Sequence, residues 1–65
     1  MKIAVNGSDA DVLGPSLATV LEELGYAGAK IATAVNAAFV PAGARQTTLL
    51  QAGDRVEIVA PQQGG

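Results

Sequence analysis

The residues with the clearest capacity for chemistry are the last two, Gly64 and Gly65, which end the 65-residue chain in a carboxylate. The segment from Pro61 onward has no apolar side chain after the proline to anchor it, so we expect residues 61–65 to form a flexible tail. A tip without β-carbons can enter a narrow channel and bring its carboxylate close to a nucleotide phosphate. The pattern therefore predicts a terminal carboxylate that a partner enzyme activates.

The activation that suits a carboxylate is adenylation, because a free carboxylate is a poor acyl electrophile. Reaction with ATP would attach a good leaving group, and a sulfur nucleophile could then form a thiocarboxylate. In this interpretation the chain supplies the acyl end and a recognisable surface, and the partner supplies the catalysis.

The remainder of the chain offers little chemistry of its own, because it contains no cysteine and no histidine. The commonest general base and the commonest soft metal ligands are therefore missing. Asp9 and Asp11 could be interpreted as a paired carboxylate site, but acids beside Gly7 and Ser8 are typical of a solvated turn. We expect a protein that is acted upon, not an enzyme, with no metal or cofactor bound by the chain itself.

Composition indicates one small globular domain, since 49% of the residues are hydrophobic and 15% are charged. We expect residues 1–60 to form this domain. The net charge is −2 and the four basic residues are scattered, which argues against nucleic acid as a partner. The chain has no apolar run long enough to span a membrane, and its start does not resemble a signal peptide. We therefore expect a cytoplasmic protein without a membrane partner.

Residue patterns predict a hairpin at the start of the chain. Alternating apolar residues indicate a strand over residues 2–5, and Asn6-Gly7 favours a tight turn. The return strand is expected to include Val12 and Leu13, with a longer loop over residues 7–10 as the alternative.

A helix is predicted to follow, with Ser16 as its N-cap and Gly25 as the residue that ends it. Its apolar residues recur at helical spacing and share one face: Leu17, Val20, Leu21 and Leu24. Tyr26 is expected to cover the end of this face.

The second half of the chain is predicted to be mainly strand. Residues 31–35, 39–40 and 55–59 have strand character, residues 45–50 are expected to be extended, and residues 52–54 a turn. These elements indicate an α+β fold of the β-grasp, ubiquitin-like type. Its mixed sheet would have four to five strands, with one helix packed across one face.

Four short motifs together resemble the ThiS family, the sulfur carriers of thiamine thiazole synthesis. They are VNG at 5–7, AVN at 34–36, GDRVEIV at 53–59 and QGG at 63–65. The resemblance extends over essentially the whole chain. The chain departs from it at Ala37 and Ala38, where relatives often have a glycine and an acid, and it lacks a tryptophan common near residue 44.

The resemblance implies a set of partners. A ThiF-like adenylyltransferase would use ATP and magnesium to adenylate Gly65, a persulfide donor would supply sulfur, and a ThiG-like thiazole synthase would accept it. Gly65 would be the covalent carrier, with Gly64 and Gln63 threading into the partner.

Partner docking would also need a surface, and one helix covers only one side of the sheet. We expect the other side to be the docking face, with Ala4 and Val59 in it and Arg55 and Glu57 at its rim. Three alternatives remain at this stage: a sulfur carrier for molybdopterin or another metabolite, a ubiquitin-like modifier of proteins, and a structural domain whose tail has no function.

Overall fold

The computed structural model describes residues 1–60, which form a five-stranded mixed sheet with one α-helix. The strands are β1 (Lys2–Val5), β2 (Ser8–Asp11), β3 (Ala32–Val35), β4 (Ala38–Val40) and β5 (Arg55–Val59); the helix α1 spans Leu17–Glu23 and a 3₁₀ turn spans Ala42–Ala44. The strand order is β2-β1-β5-β3-β4, with β1 parallel to β5 and the other pairs antiparallel. This arrangement confirms the predicted α+β, β-grasp fold. The predictions for Gln63, Gly64 and Gly65 lie outside the described residues.

Both antiparallel hairpins close with a two-residue turn whose residues have left-handed backbone conformations. Asn6 and Gly7 have φ values of 50° and 85°, and Asn36 and Ala37 have values of 50° and 71°. Such turns match the twist of the strands that they join, and asparagine and glycine tolerate the conformation well. Ala37 carries a β-carbon in this region, which is uncommon. The tripeptide Ala-Val-Asn occurs at both turns, at residues 4–6 and 34–36, and its asparagine is the first residue of each turn.

The predicted boundaries of the return strand were wrong. Because the turn is so short, β2 begins at Ser8 and ends at Asp11, which pairs with the first residue of β1. Val12 follows the strand and is buried, and its N–H donates to the carbonyl of Met1 at 2.9 Å. Leu13 lies outside the sheet, and its side chain is 87% exposed.

Helix α1 begins and ends as predicted. The hydroxyl of Ser16 accepts from the N–H of Thr19 at 3.1 Å, which caps the first turn. Gly25 has a φ of 90°, and the N–H of Tyr26 donates to the carbonyl of Leu21 at 2.8 Å, as in a Schellman motif. Tyr26 packs against the core. The predicted face is buried at Leu17, Val20 and Leu21 and partly buried at Leu24.

Residues 45–50 do not form the extended segment that was predicted. They follow the 3₁₀ turn in a series of turns, and only Leu49 forms a single bridge, with Ser16. The carbonyls of Arg45 and Thr48 accept from the N–H groups of Ala18 and Leu17 at 3.1 and 2.7 Å. The segment therefore satisfies backbone donors at the start of α1 that have no partner within the helix. A regular strand would direct these carbonyls elsewhere.

The core lies between α1 and one face of the sheet. Its buried apolar members come from β1, α1, β4 and β5 and from the segments that follow β2 and precede β5: Ile3, Val12, Leu17, Val20, Leu21, Val40, Leu50, Val56 and Ile58. Thr33 is buried with them, and its hydroxyl donates to the carbonyl of Val40 at 2.9 Å and accepts from Nε of Arg45 at 3.2 Å. Within residues 1–60, every buried side-chain polar atom has a hydrogen-bond partner.

Replacing Leu21 by Ala should lower the free energy of unfolding by about 2–5 kcal/mol, because it leaves a cavity under α1. Urea denaturation monitored by circular dichroism measures this change. Leu13→Ala is the matched control, since it removes the same atoms from an exposed position. A loss below about 0.5 kcal/mol for Leu21→Ala, the size expected of a surface change, would contradict the core assignment.

The carboxylate of Glu23 should make the stability of the domain depend on pH. It accepts from the N–H groups of Leu13 and Gly14 at 2.8 and 2.9 Å, and these bonds hold the pKa of Glu23 below its ordinary value. The stabilisation is therefore present above the pKa of the unfolded state and is lost as pH falls through the lower folded pKa. Glu23→Gln should reduce this loss in urea melts taken across the acidic range. Glu22→Gln should not, and equal effects of both changes would refute the role of Glu23.

Candidate functional site

The face of the sheet opposite α1 is the main uncovered surface that the strands build in common. We call it the open face; it carries Ala4, Ala32, Ala34, Phe39, Arg55, Glu57 and Val59. The register sets three rows across it, with Ala4 beside Arg55, Ala34 between Glu57 and Phe39, and Ala32 beside Val59. Because side chains alternate along a strand, Val56 and Ile58 of β5 point into the core while Arg55, Glu57 and Val59 point outward.

Two shallow clefts lie on the open face. The first, of about 370 Å³, is lined by Ala4, Gly7, Ala37, Arg55, Val56 and Glu57. The second, of about 200 Å³, is lined by Ala32, Thr33, Ala34, Phe39, Glu57 and Val59. Glu57 lines both clefts and so lies between them. The structure thus brings the four predicted docking residues, Ala4, Arg55, Glu57 and Val59, onto one surface.

Phe39 is a member of this surface that the sequence prediction missed. It is 69% exposed, and Val59 in the same cleft is 62% exposed. Single exposed apolar side chains are common, but two that line the same cleft form a patch of the kind that partners cover. The available signal was the alternation of β4, in which Phe39 and the buried Val40 must point to opposite faces.

Alanines give the open face its low relief. Ala4, Ala32 and Ala34 lie on the strands on either side of β5, so the longer side chains of β5 stand above their neighbours. A partner can therefore approach the backbone of the sheet closely on both sides of Glu57. Arg55 and Glu57 were predicted at the rim of the face, but they lie at its centre, because β5 has two strands on each side. They are two residues apart on this strand, which puts opposite charges next to each other.

Strand β5 is held at both ends by an asparagine from a hairpin turn. At its start, Oδ1 of Asn36 accepts from the N–H of Arg55 at 3.0 Å, and Nδ2 donates to the carboxylate of Asp54 at 3.0 Å. At its other end, Oδ1 of Asn6 accepts from the N–H of Ile58 at 2.8 Å, and Nδ2 donates to the carbonyl of the same residue at 3.1 Å. No sequence pattern indicated these contacts, since Asn6 was predicted only as a turn residue and Asn36 was noted only as part of the AVN motif.

Asp54 lies beside the open face, immediately before β5. The amide of Asn36 and the N–H of Gln51 both donate to its carboxylate, and they hold the pKa of Asp54 below its ordinary value. Asp54 is therefore a negative charge fixed by two hydrogen bonds at the start of the strand. Its role is to close the turn over residues 52–54, which confirms that prediction.

A larger cleft, of about 490 Å³, lies between the end of α1 and the 3₁₀ turn. None of the predicted docking residues lines it. The guanidinium of Arg45 faces it but is bonded to the carbonyl of Ile31 at 2.7 Å and to the hydroxyl of Thr33. The arginine therefore serves to hold two segments together.

Asp9 and Asp11 are exposed, as predicted, but they belong to β2 and not to a turn. Asp11 lies 3.7 Å from the N-terminal ammonium group.

Within residues 1–60, no cluster of three or more potential ligands is arranged to hold a metal ion. No helix in the same range has the length and apolar character needed to cross a membrane.

Comparison with known proteins agrees with this fold. A crystal structure of the thiamine biosynthesis protein ThiS from Geobacter metallireducens is 28% identical over the full length of both chains, with a TM-score of 0.84. A solution NMR structure of a thiamine biosynthesis protein from the same organism is also 28% identical. It matches all of this chain and 88% of that one, with a TM-score of 0.78. Among curated protein sequences, none matches the chain.

The family comparison decides the assignment. The model of the ThiS family matches residues 3–65, which includes the helix, strands β2 to β5, all of β1 except its first residue, and the two terminal glycines. The resemblance drawn from four short motifs is thereby confirmed over nearly the whole length. The chain belongs to the ThiS family, the small sulfur carrier proteins of thiamine biosynthesis.

Proposed function

We propose that this protein carries sulfur as a thiocarboxylate on Gly65 and delivers it to the thiazole of thiamine. The observation that carries the proposal is the position of β5. This central strand bears Arg55, Glu57 and Val59 on the open face and leads directly toward the C-terminus. A partner bound to the open face would therefore contact the strand from which the reactive end extends. The family match, which continues through Gly65, supports the same assignment.

The carrier cycle begins with adenylation of the terminal carboxylate. An oxygen of the Gly65 carboxylate attacks the α-phosphorus of ATP, and the bond from that phosphorus to pyrophosphate breaks. Magnesium bound with ATP on the partner would neutralise the charge that develops on the phosphates. The product is an acyl adenylate, in which AMP is the leaving group.

Sulfur enters in the second half of the cycle. The terminal sulfur of a persulfide donor attacks the Gly65 carbonyl carbon and displaces AMP. A thiol then cleaves the sulfur–sulfur bond and becomes part of a disulfide, which leaves a thiocarboxylate on Gly65. ATP, magnesium, the persulfide and the thiol would come from the partners, because this chain contains no cysteine.

The partners are assigned from the resemblance and from the open face. A ThiF-like adenylyltransferase would cover the clefts around Glu57, with Phe39 and Val59 as apolar anchors. Gln63 and Gly64 would pass through its channel toward the nucleotide. A ThiG-like thiazole synthase would then accept the sulfur.

Removal of Gly65 should abolish adenylation, because the carboxylate would end one residue short of the nucleotide. Pyrophosphate exchange with the ThiF-like enzyme of the same organism measures the reaction, and the urea midpoint should stay that of the parent chain. Intact-mass measurement of the parent from its native host should show sulfur in place of one oxygen at Gly65. If the free chain instead has the mass calculated from its sequence, and larger conjugates contain the chain joined to other proteins, the protein is a modifier.

Val59→Asp should weaken docking, because it places a charge among the apolar side chains of the smaller cleft. We expect a rise of about tenfold in KM for adenylation, equivalent to about 1.4 kcal/mol. Leu49→Asp is the matched control: Leu49 is 66% exposed but lies next to Ser16 and away from the open face. Equal KM values for Val59→Asp and the parent chain would eliminate the open face as the docking surface.

A further inference from the structure

We propose that Asn6 is a positioning residue, which fixes the end of β5 and thereby the point at which the reactive C-terminal segment leaves the domain. The inference rests on the proposed function, because it concerns delivery of Gly65 to the adenylating partner. It comes from the hydrogen bonds along the edge of β5 that faces β1.

The bonds along this edge follow the spacing of a parallel ladder. The N–H of Ala4 donates to the carbonyl of Asp54 at 3.0 Å, and the N–H of Asn6 donates to the carbonyl of Val56 at 2.9 Å. Each step advances two residues on both strands, so the next position on β5 is Ile58. The chain of β1 has turned away at this point, because Asn6 and Gly7 form the hairpin turn.

The side chain of Asn6 supplies the missing step. Its Oδ1 accepts from the N–H of Ile58 at 2.8 Å, in the place that its own main-chain carbonyl would take if β1 continued. Its Nδ2 donates to the carbonyl of Ile58 at 3.1 Å, as the N–H of a further strand residue would. One amide therefore replaces the peptide groups of a strand and extends the pairing of β5 beyond the end of β1.

This step is the last one before the C-terminal segment. Ile58 is followed by Val59, which pairs with Ala32 on the opposite edge, and then by Ala60, the last described residue. If the Asn6 amide is removed, the edge of Ile58 that faces β1 loses both hydrogen bonds. The end of β5 would then be held from one side only, and binding to the partner would have to order residues 58–60.

Asn36 provides an internal control at the other end of the same strand. It has the same φ of 50° in the equivalent turn, and its amide also makes two bonds, to Arg55 and Asp54. These bonds hold the start of β5, which is three residues farther from the C-terminus than Ile58. Loss of the Asn36 amide should therefore loosen β5 without changing where the C-terminal segment begins.

The experiment compares Asn6→Gly with Asn36→Gly in the full-length protein. Glycine adopts the left-handed conformation of both turns without strain, so each change removes the amide and leaves the turn intact. Steady-state adenylation is measured with the ThiF-like enzyme, hydrogen exchange is measured by NMR at the N–H of Ile58, and stability is measured by urea denaturation.

Asn6→Gly should raise KM about fivefold to tenfold, because binding must now order the end of the strand, and kcat should stay within about twofold. Exchange at the Ile58 N–H should become faster. Both variants should lower the urea midpoint by a similar amount. Asn36→Gly should nevertheless keep KM within about twofold of the parent value and keep exchange at Ile58 slow.

Three outcomes would overturn the inference. They are equal KM changes in the two variants, a change in kcat in place of KM for Asn6→Gly, and failure of Asn6→Gly to fold, which would make the amide a general stabiliser. None of them bears on the carrier role of Gly65, because the Gly65 deletion tests that role separately. Adenylation that persists without Gly65 would refute the proposed function whatever the asparagine variants show.

Discussion

The parallel pairing of the first strand with the last is the contact on which the rest of the structure depends. Ala4 and Val5 of β1 lie beside Arg55 and Val56 of β5, although about fifty residues separate them in the chain. Parallel neighbours require a long crossover, and here helix α1 and the β3-β4 hairpin both lie within it. The pairing puts β5 at the centre of the sheet, so the residues that precede the C-terminal segment lie in the middle of the domain.

A central final strand must serve both faces of the sheet at once. In β5 the side chains of Val56 and Ile58 complete the core under α1, while Glu57 and Val59 belong to the open face. The alternation of a strand keeps these two tasks apart, since neighbouring residues point to opposite sides. Surface residues that recognise a partner can therefore change without opening cavities in the core. The same strand connects the packed domain to the terminus that carries the proposed chemistry.

Sequence patterns predicted those elements whose cause is local. The spacing of Leu17, Val20 and Leu21 defines α1, and the alternation of residues 55–59 defines β5. The patterns failed where the cause is distant in the chain. Residues 45–50 were predicted to be extended, but their carbonyls cap the start of α1, and no local pattern records that contact. Likewise, Asn6 was assigned only to a turn, because its bonds to Ile58 join residues 52 positions apart.

The two asparagine clamps differ in one physical property that bears on function. At the start of β5, the Asn36 amide donates to the carboxylate of Asp54, so that bond weakens when the carboxylate is protonated in acid. At the end of β5, the Asn6 amide bonds to main-chain groups of Ile58, and neither partner titrates. The end nearest the C-terminus is thus held by neutral groups alone. A change of pH that loosens the start of the strand leaves these hydrogen bonds in place, and with them the position of Ile58 at the end of β5.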